Sequence, residues 1–279
     1  MDERTAIVTG GASGIGRALA NELAAGGVHV VLADRQLAAA EAAAAEINGR
    51  GGSALAAELD VRSADAFKAL VEATVGRTGR LDYLFNNAGI AVGGRAAEFT
   101  PADWDDVIDV NLRGVAYGIA AAYPVMIRQG FGHIVNTASM AGLTPVPLQI
   151  SYCATKHAVV GLSKALRLEA ARHGVRVSVV CPGAIRTPIL AGGAFGRFTP
   201  GTDTAVIAAM ADQLRPADPA VLARRVLRGV ARNRAIIIEP RWRVLWYVER
   251  WWPALFAGGA AVLLRRIERE MAAKTPRSE

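Results

Sequence analysis

Three side chains that could together transfer a proton lie close in the sequence: Ser139, Tyr152 and Lys156. Lys156 follows Tyr152 by four residues, so on a helix its ammonium can lie beside the phenol on the same face. A phenol with a pKa near 10 is a poor base, and lowering that pKa to about 7 requires roughly 4 kcal/mol of preferential phenolate stabilisation. An ammonium ~4 Å away contributes about 1 kcal/mol in water but about 4 kcal/mol at an effective dielectric constant near 20. This chemistry therefore requires a site that is partly shielded from water.

Seven short apolar runs alternate with helical patterns and would form the sheet that positions these groups. The runs are nearly continuous in apolar residues, which is typical of parallel strands covered by helices on both faces. We therefore predict an α/β fold with a Rossmann-type, doubly wound, seven-stranded parallel sheet, in a single domain of residues 1–240. The runs span residues 5–9, 28–33, 54–59, 81–85, 133–138, 175–180 and 235–239.

The predicted sheet also indicates where the three side chains meet. Ser139 ends the fifth run, and Tyr152 begins a helical pattern that continues to His173 and stops at Gly174. A second long helix is predicted over residues 101–126. In a doubly wound sheet the carboxyl ends of the strands line the ligand crevice, so we expect the three groups to converge there.

A glycine-rich stretch, TGGASGIG, follows the first run and opens a helix. Such a turn lets a pyrophosphate approach the backbone and rest on the N–H groups at the positive end of the helix, and Gly10, Gly14 and Gly16 have the GxxxGxG spacing. Asp34, at the end of the second run, could accept hydrogen bonds from an adenosine ribose and would repel a 2′-phosphate, which favours NAD over NADP. Arg35 keeps NADP open as the alternative, because its guanidinium could turn toward a phosphate.

The composition is that of a globular protein, with 52% hydrophobic and 20% charged residues. The only cysteines, Cys153 and Cys181, are too few for a disulfide framework and indicate a reducing compartment.

The N-terminus lacks a basic region followed by a long apolar run, so we expect no secretory signal and a cytoplasmic protein. The net charge of +7 is consistent with a solvated basic surface, and without a recognition motif we expect no nucleic-acid partner. The four histidines show no metal-ligand spacing, so we expect no metal.

The ordered set of motifs resembles the short-chain dehydrogenase/reductase family over about residues 4–240. The motifs are TGGASGIG, NNAG at Asn86 to Gly89, Asn111, Ser139, YCATK at Tyr152 to Lys156, and PGAIRT at Pro182 to Thr187. The resemblance implies that Tyr152 is the general acid/base on the substrate oxygen and that Ser139 hydrogen-bonds the same oxygen. It implies that Lys156 lowers the tyrosine pKa and binds the nicotinamide ribose, while Asn111 holds a water that links Lys156 to solvent.

The resemblance also implies the cofactor contacts. Asp60 and Val61 would flank the adenine, residues 87–89 the adenosine side, and Ile185 and Thr187 the nicotinamide carboxamide. Asn87 and Asn111 could instead be buried structural amides that tie a helix to the sheet. The predicted cofactor-binding set is Gly10, Ser13, Gly14, Ile15, Gly16, Asp34, Arg35, Asp60, Val61, Asn87, Ala88, Gly89, Tyr152, Lys156, Pro182, Gly183, Ile185 and Thr187.

Two segments lie outside the regular alternation of strands and helices. Residues 188–219 contain AGGAFGRFTPGTD and several prolines, which predicts a long irregular connection that serves as a substrate lid. Residues 241–279 hold four of the five tryptophans and are predicted to form an apolar or amphipathic helical tail. Its uncharged run from Trp251 to Leu264 has 14 residues, short of the ~20 that span a bilayer. A membrane-surface contact through residues 241–271 and a helix docked on the domain or on a second subunit both remain open.

These features predict an NAD(H)-dependent oxidoreductase that moves a hydride between nicotinamide and a secondary alcohol or ketone carbon. The lid and tail lack a charge cluster that would bind a small acid, so we expect a lipophilic substrate such as a steroid, a retinoid-like compound or a fatty alcohol. The alternatives are a reductase of acyl-carrier-protein-bound ketones, drawn to the basic surface, and a non-catalytic dinucleotide-binding sensor or scaffold. By resemblance, the helices around residues 101–128 and 152–173 would pair subunits into a homodimer or homotetramer.

Overall fold

The computed structural model of the protein describes residues 4–191, 195–200 and 202–274. The strands are β1 (Arg4–Thr9), β2 (Val28–Asp34), β3 (Ala54–Glu58), β4 (Tyr83–Asn86), β5 (Ala91–Gly93), β6 (Gly132–Thr137), β7 (Val175–Cys181), β8 (Gly196–Phe198) and β9 (Ile236–Ile238). The α-helices are α1 (Gly14–Ala25), α2 (Leu37–Gly49), α3 (Ala64–Thr78), α4 (Pro101–Ile108), α5 (Gly114–Gln129), α6 (Ile150–Ala170), α7 (Pro188–Ala191), α8 (Thr204–Gln213), α9 (Pro219–Ala231), α10 (Pro240–Trp251) and α11 (Pro253–Lys274).

The predicted seven-stranded parallel sheet is confirmed. Its strands run in the order β3-β2-β1-β4-β6-β7-β9, and every neighbouring pair is parallel. The strand order reverses between β1 and β4, which is the switch point where ligands bind in open α/β sheets. The sheet therefore places its ligand crevice at the carboxyl ends of the central strands.

Helices cover the sheet on both faces. Along β1, Ala6 and Val8 face one apolar cluster, which contains side chains of α1, α2 and α9. Ile7, between them, faces a second cluster that contains Phe67 of α3 and Met126 of α5. Because successive side chains of a strand point to opposite faces, both faces of the sheet are buried, which accounts for the nearly continuous apolar runs.

The helix predicted over residues 101–126 is interrupted in the structure. Its predicted start is confirmed, since Thr100 accepts a hydrogen bond from the Asp103 amide and the Asp103 carboxylate accepts one from the Thr100 amide. A π-helical turn then separates α4 from α5 and contains the fully buried Asn111. Such turns insert one extra residue and are frequent at functional sites. Helix α6 ends at Ala170 and is followed by a 3-10 turn to His173, which Gly174 closes in the left-handed conformation with φ of 70°, at the predicted position.

The prediction that residues 188–219 form an irregular connection is wrong. The described part of this segment contains α7, β8 and α8, whereas residues 192–194 and 201 lie outside the described residues. Strand β8 pairs in parallel with β5 in a separate two-stranded sheet. Arg197 of β8 also forms ion pairs with Asp103 at 2.7 Å and Asp106 at 2.8 Å. Strand β8 is stabilised by backbone hydrogen bonds to a strand about one hundred residues earlier, and a contact this distant cannot be predicted from the local sequence.

The predicted tail follows directly from the sheet. Helix α10 begins two residues after β9, and its Trp242 and Trp246 pack against the cluster that contains Val179 and Ile238. Helix α11 follows it, while residues 275–279 lie outside the described residues. Within the described chain, no helix combines the length and the apolar character needed to cross a membrane.

Candidate active site

A cavity of about 350 Å³ opens at the carboxyl edge of the central strands. All but two of the residues predicted from the sequence line it, including Ser139, Tyr152 and Lys156. The two exceptions are Gly16 and Asn111, which lie behind the wall. The fold thus brings the predicted dinucleotide turn and the predicted proton-transfer groups to one site.

The glycine-rich turn joins β1 to α1 through two residues with left-handed backbone, Gly10 at φ of 64° and Gly14 at φ of 53°. Gly16 does not line the cavity, because its role is to let the helix approach the turn. A Cβ at this position would lie 2.1 Å from the Gly10 carbonyl oxygen. Ser13, the N-cap residue of α1, makes no side-chain cap, and the first helical turn has no acidic residue. The positive end of α1 therefore meets the cavity in a form that fits a pyrophosphate.

The carboxylate of Asp34 is buried at the end of β2 and lines the cavity. It accepts hydrogen bonds from the Ala12 amide at 3.1 Å and from the Gln36 amide at 3.0 Å. These two amides fix the orientation of the carboxylate. Arg35 also lines the cavity, where its guanidinium carbon lies 5.9 Å from the centre of the Phe195 ring.

The predicted adenine contacts lie after β3. The carboxylate of Asp60 forms an ion pair with the guanidinium of Arg62, with a shortest contact of 2.5 Å. This pairing lowers the pKa of Asp60, and the nearby charge of Arg35 acts in the same direction. Both arginines line the cavity, so the end formed by Asp34 and Asp60 holds positive as well as negative charge.

Asn87 connects three strands beside the cavity. Its side-chain amide donates to the Thr9 carbonyl at 3.0 Å, and its carbonyl oxygen accepts from the Thr137 hydroxyl at 3.5 Å. The Thr9 hydroxyl in turn accepts from the amide N–H groups of Asn87 and Ala88, at 2.9 and 3.0 Å. Asn87 is therefore a structural tie between β1, β4 and β6 that also faces the cavity.

Lys156 lies on α6 one turn beyond Tyr152, and its side chain is buried. The ammonium nitrogen lies 5.4 Å from the centre of the Tyr152 ring and donates a 2.8 Å hydrogen bond to the Thr137 carbonyl. Burial lowers the pKa of Lys156 to about 8. The ammonium thus lies beside the Tyr152 ring as predicted, and its hydrogen bond to Thr137 of β6 holds it in place.

The pKa of Tyr152 is raised rather than lowered, so the nearby ammonium of Lys156 does not outweigh the effect of burial. Burial raises the pKa of Tyr152 to about 12, and a hydrogen bond with Ser139 opposes this increase. Although Tyr152 as a whole is only partly buried, the surrounding protein removes its phenol from bulk water. A dry crevice strengthens the attraction of an ammonium but also penalises the phenolate, and here the penalty dominates.

Ser139 follows β6 and caps a short 3-10 turn, where its hydroxyl accepts from the Ala141 amide at 3.1 Å. The sequence-based alternative of a hydroxyl that caps its own backbone therefore describes part of its bonding. The same hydroxyl lowers the pKa of the Tyr152 phenol, against the larger effect of burial. Both groups face the cavity, so a substrate oxygen there would meet two hydroxyls.

Asn111 lies behind the cavity wall in the π-helical turn. Its side chain accepts from the Ile90 amide and donates to the Ile90 carbonyl, both at 2.9 Å. It also donates to the Thr155 hydroxyl at 3.4 Å. A Cβ on Gly89 would lie 3.2 Å from the Asn111 oxygen and 3.5 Å from the Lys156 nitrogen, so only the small Gly89 separates them. These contacts favour the structural interpretation of Asn111.

The segments predicted as lid and tail supply part of the cavity wall, through residues outside the predicted site set. Trp242 of α10 and Leu214 after α8 both line it, as does Phe195 from the predicted lid. The predicted tail therefore contributes to the site. The available signal was the position of Trp242, three residues after the last apolar run, but only the path of α10 brings it to the cavity.

Comparison with known proteins agrees with this architecture. The sequence profile described as short chain dehydrogenase matches residues 4–193. The chain belongs to the short-chain dehydrogenase family. The profile match ends within the predicted lid, so α8 to α11 lie beyond it.

Several characterised members of this family are similar to the chain. Levodione reductase of Leifsonia aquatica is 40% identical over 191 residues, which cover 67% of this chain and 72% of that protein. Cyclohexanol dehydrogenase of Acinetobacter sp. (strain SE19) is 42% identical over 192 residues, covering 68% and 76%. A 3-oxoacyl-[acyl-carrier-protein] reductase of Staphylococcus aureus is 40% identical over 183 residues, covering 65% and 74%. The chain is accordingly an oxidoreductase of the type that acts on alcohols and ketones.

Solved structures of the family also match. A short-chain dehydrogenase/reductase of Burkholderia phymatum in complex with NAD has a TM-score of 0.80 and 31% identity, with 89% of this chain and 93% of that chain covered. A gluconate 5-dehydrogenase of Beutenbergia cavernae, described as putative and NAD(P)-dependent and with bound NADP, has a TM-score of 0.68 and 34% identity, covering 79% and 86%. These structures support a nicotinamide dinucleotide as the cofactor of this chain.

Proposed function

We propose that the protein is an NAD(H)-dependent oxidoreductase that interconverts a lipophilic secondary alcohol and its ketone. The observation that carries this proposal is the convergence of Ser139, Tyr152 and Lys156 on the cavity that also contains the glycine-rich turn and Asp34. When bound, the nicotinamide would supply or accept the hydride. The protein would supply orientation and the proton.

The proton would pass through the Tyr152 phenol. Because burial raises the pKa of Tyr152 to about 12, the phenol carries its proton at neutral pH and acts as the acid in ketone reduction. Ser139 would hold the substrate oxygen beside the phenol. Lys156, anchored on the Thr137 carbonyl, would stabilise the negative charge that appears when the phenol gives up its proton.

The choice of NAD over NADP rests on Asp34. Its carboxylate is held in the cavity wall by two backbone amides, where ribose hydroxyls could donate to it. A 2′-phosphate about 4 Å away would be opposed by about 4 kcal/mol per unit charge at an effective dielectric constant near 20. Arg35 and Arg62 also line this end, so NADP is the alternative that a measurement must exclude.

The substrate class is inferred from the cavity wall and from the relatives. Val146, Leu214 and Trp242 contribute apolar side chains to the wall of the cavity that Tyr152 also lines. Two of the relatives are named for six-membered carbocyclic substrates, levodione and cyclohexanol. Alicyclic alcohols and ketones are therefore the first lipophilic compounds to test, followed by steroid, retinoid-like and fatty alcohols.

Two other functions remain as alternatives. The similarity to a 3-oxoacyl-[acyl-carrier-protein] reductase and the net charge of +7 favour a reductase of carrier-bound ketones as the second candidate. A dinucleotide-binding sensor or scaffold on the same fold is the non-catalytic alternative. Assembly into a homodimer or homotetramer through α4 with α5 and through α6 is part of the proposal.

The deciding experiment measures nicotinamide absorbance with NADH or NADPH against alicyclic, steroid and acyl-thioester ketones. We expect turnover with NADH and an alicyclic or larger lipophilic ketone, and a loss of at least ~100-fold in kcat/KM for Tyr152→Phe. Tyr247→Phe is the matched control, because it removes a phenol hydroxyl outside the cavity lining. Equal inactivity of the wild type and Tyr152→Phe across the panel, with tight cofactor binding, would favour the sensor. Preference for the acyl thioester would favour the carrier-protein reductase.

A further inference from the structure

Helices α10 and α11 expose a large apolar surface. Trp251, Trp252 and Leu255 at their junction are 67%, 60% and 68% exposed. An apolar surface of this kind on a folded chain marks a site of interaction. We call it the tail face, and it consists of Val244, Leu245, Tyr247, Trp251, Trp252, Leu255, Val262 and Leu263.

Helix α11 does not need the tail face for packing on its own domain. Ile267 is 6% exposed, and Phe256 and Leu264, on the same side of the helix, are partly buried. Leu255 and Val262 are seven residues apart and share a different side, which is exposed. A surface helix requires only one apolar stripe to dock, so the second stripe is available for another surface.

The tail face is bordered by positive charge. Arg250, Arg265 and Arg269 are all exposed at its edges. Residues 240–279 contain eight Arg and Lys against four Glu, and thus contribute a net +4 to the +7 of the whole chain. A binding partner that is complementary to the tail face must therefore accept apolar side chains and carry negative charge.

We propose that the tail face binds the surface of anionic phospholipid membranes, with α10 and α11 lying in the plane of the interface. Trp251 and Trp252 would sit at headgroup level, where indole rings partition, and Leu255 would reach the acyl boundary. The bordering arginines would meet lipid phosphates.

Charge favours the membrane over a second copy of the chain. A two-fold symmetric contact through the tail face would bring the same basic surface against itself, since both subunits use the same patch. Like charges brought together in an interface are destabilising. An anionic lipid surface instead neutralises the same arginines.

The test is co-sedimentation of the full chain with vesicles of phosphatidylcholine alone or of phosphatidylcholine mixed with phosphatidylglycerol. We expect binding to the mixed vesicles, weaker binding to phosphatidylcholine alone, and release at high salt. Tryptophan emission should shift to shorter wavelength on binding, because four of the five tryptophans lie in residues 241–279. The assay uses neither cofactor nor substrate, so its outcome is independent of the proposed function.

Variants separate the two contributions to binding. Trp251→Ser/Trp252→Ser should abolish binding while ketone turnover is retained, because neither residue lines the cavity. Arg265→Gln/Arg269→Gln should weaken binding by about tenfold or more. The matched control is Arg172→Gln/Arg176→Gln, which removes two exposed charges near the start of β7 and should bind like the wild type.

Three outcomes would overturn the proposal. The first is a wild type that stays in the supernatant with mixed vesicles at low salt. The second is an equal loss of binding in the Arg172→Gln/Arg176→Gln control. The third is a wild type that ignores vesicles while Trp251→Ser/Trp252→Ser dissociates an oligomer in size-exclusion chromatography, which would assign the tail face to a subunit interface.

Discussion

The indole nitrogen of Trp242 lies 1.8 Å from the point where a Cβ on Gly183 would stand. Gly183 follows β7 in the family motif beside the cavity, and Trp242 belongs to α10, beyond the part of the chain that matches the family profile. The nearest atoms to that Cβ all belong to the Trp242 ring. The cavity wall therefore depends on a contact between a family motif and the tail.

Gly183→Ala should displace Trp242 and lower the free energy of unfolding by about 1–3 kcal/mol, the usual range for overpacking. It should also lower kcat/KM, because the cavity wall moves. Adding Trp242→Ala should remove the clash, so the two changes together should destabilise by less than the sum of the single changes. Denaturant unfolding of the four proteins in this cycle measures the coupling.

The control for this cycle is Gly161→Ala, since nothing lies within 4 Å of a Cβ at that helical position. It should be neutral or slightly stabilising, because alanine has the higher helix propensity. Additive effects of Gly183→Ala and Trp242→Ala would contradict the contact.

Asp34→Asn should shift the cofactor preference toward NADP by about 10- to 100-fold. The change removes the charge that opposes a 2′-phosphate, and screening at the cavity mouth keeps the effect below the unscreened like-charge energy. Isothermal titration calorimetry with NADH and NADPH measures the ratio of dissociation constants. Asp105→Asn serves as the control, because it removes an exposed carboxylate outside the cavity lining. An unchanged ratio in Asp34→Asn would remove Asp34 from cofactor selection.

Ketone reduction should be independent of pH from about 6 to 8 and should decline above about pH 8. Tyr152 keeps its proton throughout this range, because burial raises its pKa to about 12. Lys156 loses its proton near pH 8, since burial lowers its pKa to about 8, and the phenol then becomes a weaker acid. The profile of kcat/KM against pH tests this assignment.

Lys156→Arg should remove the decline above pH 8, because a guanidinium stays charged. Lys164→Arg, on the same helix, should leave the profile as it is in the wild type. A decline near pH 8 that persists in Lys156→Arg would show that another group titrates.

Much of the sheet and of the site could be predicted because local sequence determines them. Apolar runs without alternation specify buried parallel strands, and strand order then brings Asp34 and Ser139 to one edge. The spacing of Tyr152 and Lys156 specifies one helical face. These features depend on residues that are neighbours in the chain or at the end of a strand.

The features that sequence reasoning missed depend on distant contacts. Strand β8 exists because Gly196–Phe198 pairs with Ala91–Gly93, and neither three-residue segment has a strand pattern of its own. The π-helical turn at Asn111 spans only five residues, too few for its change of period to be recognised in the sequence. The pKa of Tyr152 depends on how completely the surrounding protein excludes water, which spacing cannot supply.

His133 should make the fold less stable in acid. It is buried in β6, where its ring lies 2.8 Å from the Ser178 hydroxyl, and burial lowers its pKa from 6.5 to about 3. Between these values the unfolded chain binds the proton and the folded chain does not, so stability falls as pH drops below 6.5. Between pH 7 and pH 5, this proton uptake lowers the free energy of unfolding by about 2 kcal/mol.

Denaturant unfolding at the two pH values should show this difference in the wild type and a smaller one in His133→Asn. His157→Gln, which removes an exposed histidine, should behave like the wild type, and an equal reduction in both variants would refute the assignment to His133.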